Sequence, residues 1–111
     1  MRKFHLALNV SNIERSVADY SARLGVAPDV VVAGSYALWR TGTLNLSIRK
    51  TNEHSENLRH LGWEDTDAPK FSAEPDCNGI SWERFSATQQ AQEINEIWPG
   101  TNYSISPSNV K

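Results

Sequence analysis

The chain has 111 residues, 39% of them hydrophobic and 22% charged, values typical of one small globular domain and not of a disordered segment or a fibre. Eleven lysine and arginine residues against thirteen aspartate and glutamate residues give a formal charge of −2, so the chain has no basic surplus for binding nucleic acid or an anionic membrane. The single cysteine, Cys77, excludes an internal disulfide and a zinc site built from several thiolates.

The first half of the sequence predicts one helix between a first strand and three later ones. Residues 4–10 alternate apolar and mixed side chains with the two-residue period of a strand. Ser11 and Glu14 fit a capping box, and the helical apolar repeat that follows ends before Gly25 and Pro28. Three short β-like runs separated by turn residues come next, over residues 30–33, 36–40 and 44–49.

The second half predicts two more strands around a long loop. Residues 51–57 are polar and unpatterned, and the run over residues 58–64 indicates a strand. Residues 65–79 predict a loop, because they contain two prolines, a glycine and four acidic residues without periodicity. The last strand is predicted over residues 80–85.

A second helix is predicted at the end of the domain. Ser86 and Gln89 form another capping-box pattern, which predicts a helix over residues 87–98. Pro99 and Gly100 end this helix. Its apolar stripe consists of Ala87, Ala91, Ile94 and Ile97.

Several short segments, in a fixed order over residues 3–85, match the pattern of a known superfamily. The opening is the most specific, because HLALNV at residues 5–10 leads into NIERSVADYSARLG at residues 12–25. The later segments are YA at 36–37, LNLS at 44–47, RHLG at 59–62, EPD at 74–76 and WERF at 82–85. Together they resemble the vicinal oxygen chelate superfamily of glyoxalase I, bleomycin-resistance proteins and extradiol dioxygenases. The middle segments are most similar to the branch of organoarsenical carbon–arsenic lyases and cadmium-induced proteins.

The resemblance implies an α+β fold of two βαβββ modules, of which the second is shortened here. The superfamily has a helix and two strands where this chain has only residues 65–79. The added C-terminal helix is expected to cover sheet surface that the missing helix leaves bare. The expected organisation is one domain, residues 1–111, with a first module (3–50), a linker (51–57), an abridged second module (58–85), a C-terminal helix (86–99) and a tail (100–111).

The metal-ligand positions of the superfamily fall on His5, His60 and Glu83. Two imidazoles and a carboxylate suit divalent Fe, Mn, Ni, Co or Zn and leave coordination positions free for substrate or water. The alternation of the first strand agrees with this role, since His5 shares its face with Ala7 and Asn9 while the leucines point to the other face. The resemblance therefore implies a metal site made by these three side chains.

Each of these residues also has an ordinary structural interpretation. A histidine in a strand is more often hydrogen-bonded than metal-bound, and His60 can pair with Glu64 or Glu83. Glu83 can equally be a surface carboxylate beside Arg84. The third histidine, His54, lies in the polar linker and is expected to face solvent.

Candidates for substrate contact lie on the strands of the first module. Tyr36 and Trp39 can be either contacts or core residues, and Trp63 and Trp82 are expected to be packing residues. The predicted substrate-binding residues are Asn9, Tyr36, Asn45, Ser47 and Arg49.

The resemblance implies a small protein that chelates two neighbouring oxygens of a small-molecule substrate on a divalent metal, as a lyase, an isomerase or a dioxygenase. Arsenic chemistry is not implied, because the lyase branch uses paired cysteines and Cys77 is alone. One alternative is a metal-free module similar to bleomycin-resistance proteins, in which acidic and aromatic residues bind a cationic ligand. Another is a dimeric interaction domain that pairs through an open sheet edge.

A homodimer is expected in all of these cases, since the abridged second module leaves a sheet that another subunit can complete. No apolar run reaches the length of a bilayer span, and the residues after Met1 alternate instead of forming an apolar signal core. We therefore expect a cytoplasmic protein with neither a membrane nor a nucleic acid as a partner.

Overall fold

The computed structural model describes residues 1–52 and 57–105. These residues form a mixed seven-stranded sheet with the strand order β2-β3-β4-β1-β5-β7-β6 and two helices. The α+β class is thereby confirmed, whereas the division into two modules stays a prediction. In chain order the elements are β1 (Arg2–Val10), α1 (Ile13–Leu24), β2 (Val30–Val32), β3 (Tyr36–Arg40), β4 (Leu44–Lys50), β5 (Leu58–Asp65), β6 (Ser72–Pro75), β7 (Ser81–Phe85) and α2 (Ala87–Ile97).

The first helix begins one residue later than the capping box at Ser11 predicts. Asn12 is the N-cap, and its side-chain oxygen accepts a hydrogen bond from the backbone N–H of Arg15 at 2.9 Å. Glu14 does not complete a capping box, because its carboxylate accepts from the backbone N–H of Gly34 instead. The predicted stop is confirmed, since Gly25 takes the left-handed conformation with φ 76°.

The loop predicted over residues 65–79 is wrong for Ser72–Pro75, which form the edge strand β6. This strand pairs antiparallel with β7 through the main chain, and all four of its residues are exposed. Because no side chain of β6 is buried, its sequence lacks the apolar alternation that would predict a strand. The turn between the two strands is held by Asp76, whose carboxylate accepts from the backbone of Asn78 and the indole N–H of Trp82.

The two helices pack on opposite faces of the sheet. One face carries the apolar side chains of β1, β3 and β4, among them Trp39 and Ile48, and α1 covers them. Trp39 is completely buried there, so it is a core residue and not a substrate contact. On the other face Ile94 of α2 packs against Tyr36 and Leu38. The C-terminal helix therefore covers strands of the first half of the chain.

The second helix follows its predicted capping box closely. Ser86 accepts from the backbone of Gln89, and the Gln89 side chain accepts from the backbone of Ser86. Within the apolar stripe, Ala91 and Ile94 are buried, whereas Ile97 is 44% exposed. No helix in the described ranges combines the length and the hydropathy that a bilayer crossing requires.

Candidate metal centre

Strands β1, β5 and β7 lie side by side and bring the three predicted ligands to the face that α2 covers. His5 of β1 is in register with Gly62 of β5, and Gly62 is in register with Glu83 of β7. His60 lies two residues before Gly62 and therefore shares its face. Gly62 itself has no side chain on this face, and the ring of His60 reaches the space between His5 and Glu83.

Gly62 has a second role in placing Glu83. A Cβ atom built on Gly62 would overlap the backbone carbonyl of Glu83 on the neighbouring strand. A glycine at this position therefore allows β5 and β7 to approach closely, and any larger residue would displace the backbone that carries the carboxylate.

The donor atoms of the three side chains converge. The His60 Nε2 atom lies 2.9 Å from His5 Nε2 and 2.9 Å from Glu83 Oε1. The His5 Nε2 atom lies 4.0 Å from the same carboxylate oxygen. Bonds of about 2.0–2.2 Å to one ion place neighbouring ligand atoms about 2.8–3.6 Å apart, from octahedral to tetrahedral geometry, so small shifts of these side chains suffice to hold a divalent metal. The donor set of two imidazoles and one carboxylate also fits such an ion.

A buried amide determines which nitrogen of His5 is available. The side-chain oxygen of Asn45 lies 2.8 Å from His5 Nδ1. The side-chain nitrogen of Asn45 donates to Glu64 and to Gln90, each at 2.8 Å. Since both amide hydrogens are used, the oxygen faces His5 and accepts the Nδ1 proton. The lone pair of neutral His5 is therefore on Nε2, the atom that points to His60 and Glu83.

Burial favours the neutral form of His5. The side chain is 2% exposed, and loss of hydration lowers the pKa of its imidazole below the usual value of 6.5. The hydrogen bond to Asn45 opposes this shift, and the neighbouring His60 adds to it. A neutral imidazole is the form that binds a metal, so burial favours the metal-binding form of His5.

The amide of Asn45 is in turn held by a buried ion pair. The guanidinium of Arg40 donates two hydrogen bonds of 2.8 Å to the carboxylate of Glu64, and the two side chains are only 3% and 5% exposed. Burial alone would raise the pKa of Glu64, but the hydrogen bonds from Arg40 and Asn45 outweigh it and lower the pKa. A chain of polar contacts thus runs from Arg40 through Glu64 and Asn45 to His5.

This lowered pKa predicts how acid affects stability. A carboxyl whose pKa is lower in the folded chain stabilises the fold above its usual value of 4.5, and this contribution is lost as the pH falls through the folded value. We expect the wild type to have a higher free energy of unfolding than Glu64→Gln. This difference should be largest above pH 4.5 and should become smaller in acid. Denaturant unfolding of both proteins between about pH 7 and about pH 3 measures it. A difference that does not change with pH would contradict the assignment.

A cavity of about 130 Å³ adjoins the three ligands, between the sheet and α2. Three of the predicted substrate-binding residues, Tyr36, Ser47 and Arg49, are part of its wall. Burial raises the pKa of Tyr36, so its phenol remains a neutral hydrogen-bonding group. The remaining residues of the wall are His5, Arg59, His60, Phe71, Glu83, Phe85, Gln90, Glu93, Ile94, Ile97 and Trp98.

The structure places the other two predicted substrate-binding residues outside this wall. Asn45 is completely buried behind His5, where its amide holds the imidazole. Asn9 lies on the correct face of β1 but is paired with Arg49 near the end of the strand, beyond the cavity. His54 lies outside the described residues, so its exposure to solvent stays a prediction.

Arg59 is a wall residue that the sequence pattern does not predict, because strict alternation would turn it away from His60. The register between β1 and β5 shifts here, so that Ala7 faces His60 and Leu8 faces Leu58. Arg59 is the extra residue of this bulge, and bulges redirect side chains. No signal in the sequence near Arg59 indicates this orientation, because it depends on the register of two strands.

Two polar wall residues of α2 and the tryptophan that follows the helix have no sequence signal of their own. Gln90, Glu93 and Trp98 reach the cavity only because the helix folds back over the sheet.

Comparison with protein-family models gives no match, and comparison with curated proteins gives none either. The vicinal oxygen chelate assignment therefore stays a prediction.

Proposed function

We propose that the chain holds one divalent metal ion with His5, His60 and Glu83 and acts on a small molecule bound in the adjoining cavity. One observation supports this proposal: the donor atoms of the three side chains lie close together on the face of the sheet that α2 covers. A divalent ion at this position would act as a Lewis acid toward oxygen atoms of the substrate. The reaction class that fits the donor set is a lyase, isomerase or dioxygenase reaction of the vicinal oxygen chelate type.

The residues around the ligands orient them and make one side of the site apolar. Asn45 keeps the Nε2 lone pair of His5 directed toward the other two ligands. The ring of Phe85 packs edge-on against His5 with ring centres 4.9 Å apart, and Phe71 stacks on Phe85. These apolar rings lower the local polarity on one side of the ligands, which strengthens the electrostatic effect of an ion there.

Metal titration of the wild-type protein tests the proposal directly. Protein purified without a chelator or a histidine tag is dialysed against Fe(II), Mn(II), Ni(II), Co(II) or Zn(II) and analysed for bound metal. We expect about one equivalent per chain with at least one of these ions, and visible absorption bands when the ion is Co(II). A protein that remains free of metal at saturating concentrations of all five ions would overturn the proposal.

A metal-free ligand-binding module is the competing function. In that case His60 Nε2 carries a proton that it shares with His5 and Glu83, which satisfies all three polar groups without an ion. The described wall gives a cationic ligand of such a module no net attraction, because Arg49 and Arg59 offset the charges of Glu83 and Glu93. The same titration separates the two functions.

We also propose a homodimer of this domain. On the face that carries α1, the aromatic side chains of Phe4, Trp63 and Trp82 lie toward the β5 and β7 side and are only half-buried. A second copy of the chain that packs on this part of the sheet would bury them. Light scattering at micromolar concentration is expected to give twice the mass of the chain, and the mass of a monomer would contradict this pairing.

A further inference from the structure

Two arginines in the cavity wall have no ion-pair partner among the residues that the structure describes. Arg49 comes from β4 and Arg59 from the bulge of β5, and both are half-buried. Among the described residues, each carboxylate that forms an ion pair does so with Arg23, Arg40, Arg84 or a histidine. Neither wall arginine is one of these partners. Two guanidinium groups therefore face the cavity with hydrogen-bond donors to spare.

The guanidinium of Arg49 is already held in position. It lies over the ring of Trp98, with its central carbon 5.0 Å from the ring centre. Its Nε atom is buried and has no hydrogen-bond partner in the described part of the chain. A buried donor without an acceptor is costly, and an acceptor in the cavity would remove this cost.

Arg59 and Arg49 are both part of the wall of one small cavity, so their positive charges act on the same space. Both guanidinium groups are charged at neutral pH, because an arginine does not lose its proton in proteins. A pair of like charges in a partly buried wall is a favourable place for a ligand of opposite charge.

The charges of the wall point to the same kind of ligand. Among the described residues of the wall, the charged ones other than the histidines are two arginines, Arg49 and Arg59, and two glutamates, Glu83 and Glu93. Their charges cancel while the site contains no ion. When a divalent metal binds, the cavity gains two positive charges that none of these described wall residues offsets. An anionic ligand would neutralise them.

We propose that the substrate is a small organic oxyanion whose acidic group lies between Arg49 and Arg59 while another of its oxygens faces the three metal ligands. This inference rests on the proposed metal site and names the substrate class of that site. The cavity of about 130 Å³ is below the size of pockets for drug-like ligands, so the substrate has few non-hydrogen atoms. Arginine pairs bind carboxylates and phosphonates through the same charge-assisted hydrogen bonds.

Three small probes that differ in their acidic group test the proposal. Glycolate, hydroxymethylphosphonate and the uncharged glycolamide are titrated by calorimetry into the full chain loaded with Co(II). Glycolate or hydroxymethylphosphonate is expected to bind at least about tenfold more tightly than glycolamide, as expected from charge-assisted hydrogen bonds. The better of the two anions identifies the acidic group of the substrate. Equal affinity for glycolamide and both anions would overturn the proposal.

Charge variants then locate the anion. Arg49→Gln and Arg59→Gln are each expected to weaken binding of the better anion about ten- to hundredfold. Glu93→Gln, which removes a negative charge from the same wall, is expected to strengthen it. Arg15→Gln removes an exposed positive charge on α1, across the sheet, and is expected to leave it unchanged. Equal effects of the three arginine variants would contradict the assignment of the anion to this pair.

Measurements with and without metal keep this proposal separate from the metal proposal. Arg49→Gln and Arg59→Gln leave all three metal ligands in place, so both are expected to bind one equivalent of Co(II). If the wild type binds no metal but still prefers an anion over glycolamide in the presence of a chelator, the metal proposal fails and the arginine subsite is supported. If metal binds and no probe distinguishes charge, only the arginine subsite fails.

Discussion

His60→Ala is expected to abolish stoichiometric metal binding. His60 Nε2 lies 2.9 Å from donor atoms of both other ligands, so it occupies the centre of the group. Loss of a residue that only supports a ligand typically lowers metal affinity about ten- to hundredfold, and loss of a ligand itself should exceed that. Equilibrium dialysis with Zn(II) and Co(II) measures the bound metal, and loss of the Co(II) absorption bands gives an independent readout.

Two variants serve as controls for this experiment. Glu83→Gln keeps the size of the side chain but removes its charge, and it should also weaken binding strongly. His54→Ala changes the histidine outside the group and should retain one equivalent of metal. Circular dichroism of each variant verifies that it is folded. Full metal binding by His60→Ala, or loss of binding in His54→Ala, would show that the ion is held elsewhere.

Glu64→Gln is expected to destabilise the fold by about 3–5 kcal/mol, the cost of leaving one partner of a buried ion pair without its counter-charge. The guanidinium of Arg40 is 3% exposed and both of its hydrogen bonds to Glu64 would lose the negative acceptor. The variant also weakens the acceptor of the Asn45 amide, which holds His5. Denaturant unfolding at neutral pH measures the change in the free energy of unfolding.

An exposed ion pair provides the matched control. Asp19 and Arg23 are one turn apart on α1, with side chains 54% and 73% exposed. Asp19→Asn should cost about 0.5 kcal/mol or less, since solvent screens such pairs. A similar small cost for Glu64→Gln would mean that the buried pair contributes little to the fold. A double variant with Met at positions 40 and 64 should recover part of the stability, because it leaves neither charge unpaired.

The network behind His5 connects these two predictions. Arg40, Glu64 and Asn45 lie on three different strands, and none of them is a wall residue of the cavity. Their hydrogen bonds determine the tautomer and the orientation of His5, whose ring lies in front of them. Glu64→Gln should therefore lower metal affinity as well as stability, whereas Asp19→Asn should leave metal affinity unchanged.

Local sequence patterns were sufficient to predict several features of the strands and helices of this protein. The two-residue period of β1 predicted that His5 shares a face with Ala7 and Asn9, because alternation in a strand needs no information from the rest of the chain. The period of β7 likewise predicted that Glu83 shares a side with Ser81 and Phe85. The capping box at Ser86 likewise located α2, since its hydrogen bonds join residues three apart. The same reasoning failed at Ser11, where the neighbouring Asn12 caps the helix and Glu14 bonds to a distant glycine.

Contacts between distant segments decided the rest, and the tertiary structure was needed to see them. The bulge that turns Arg59 into the cavity arises from the register between β1 and β5, and no residue within β5 indicates where this register shifts. The edge strand β6 forms because its main chain pairs with β7, although its side chains are all exposed. Asn45 supports His5 only because two strands far apart in the chain are parallel neighbours. Side-chain periodicity reports what a segment buries, whereas register and cross-strand partners depend on which segments meet.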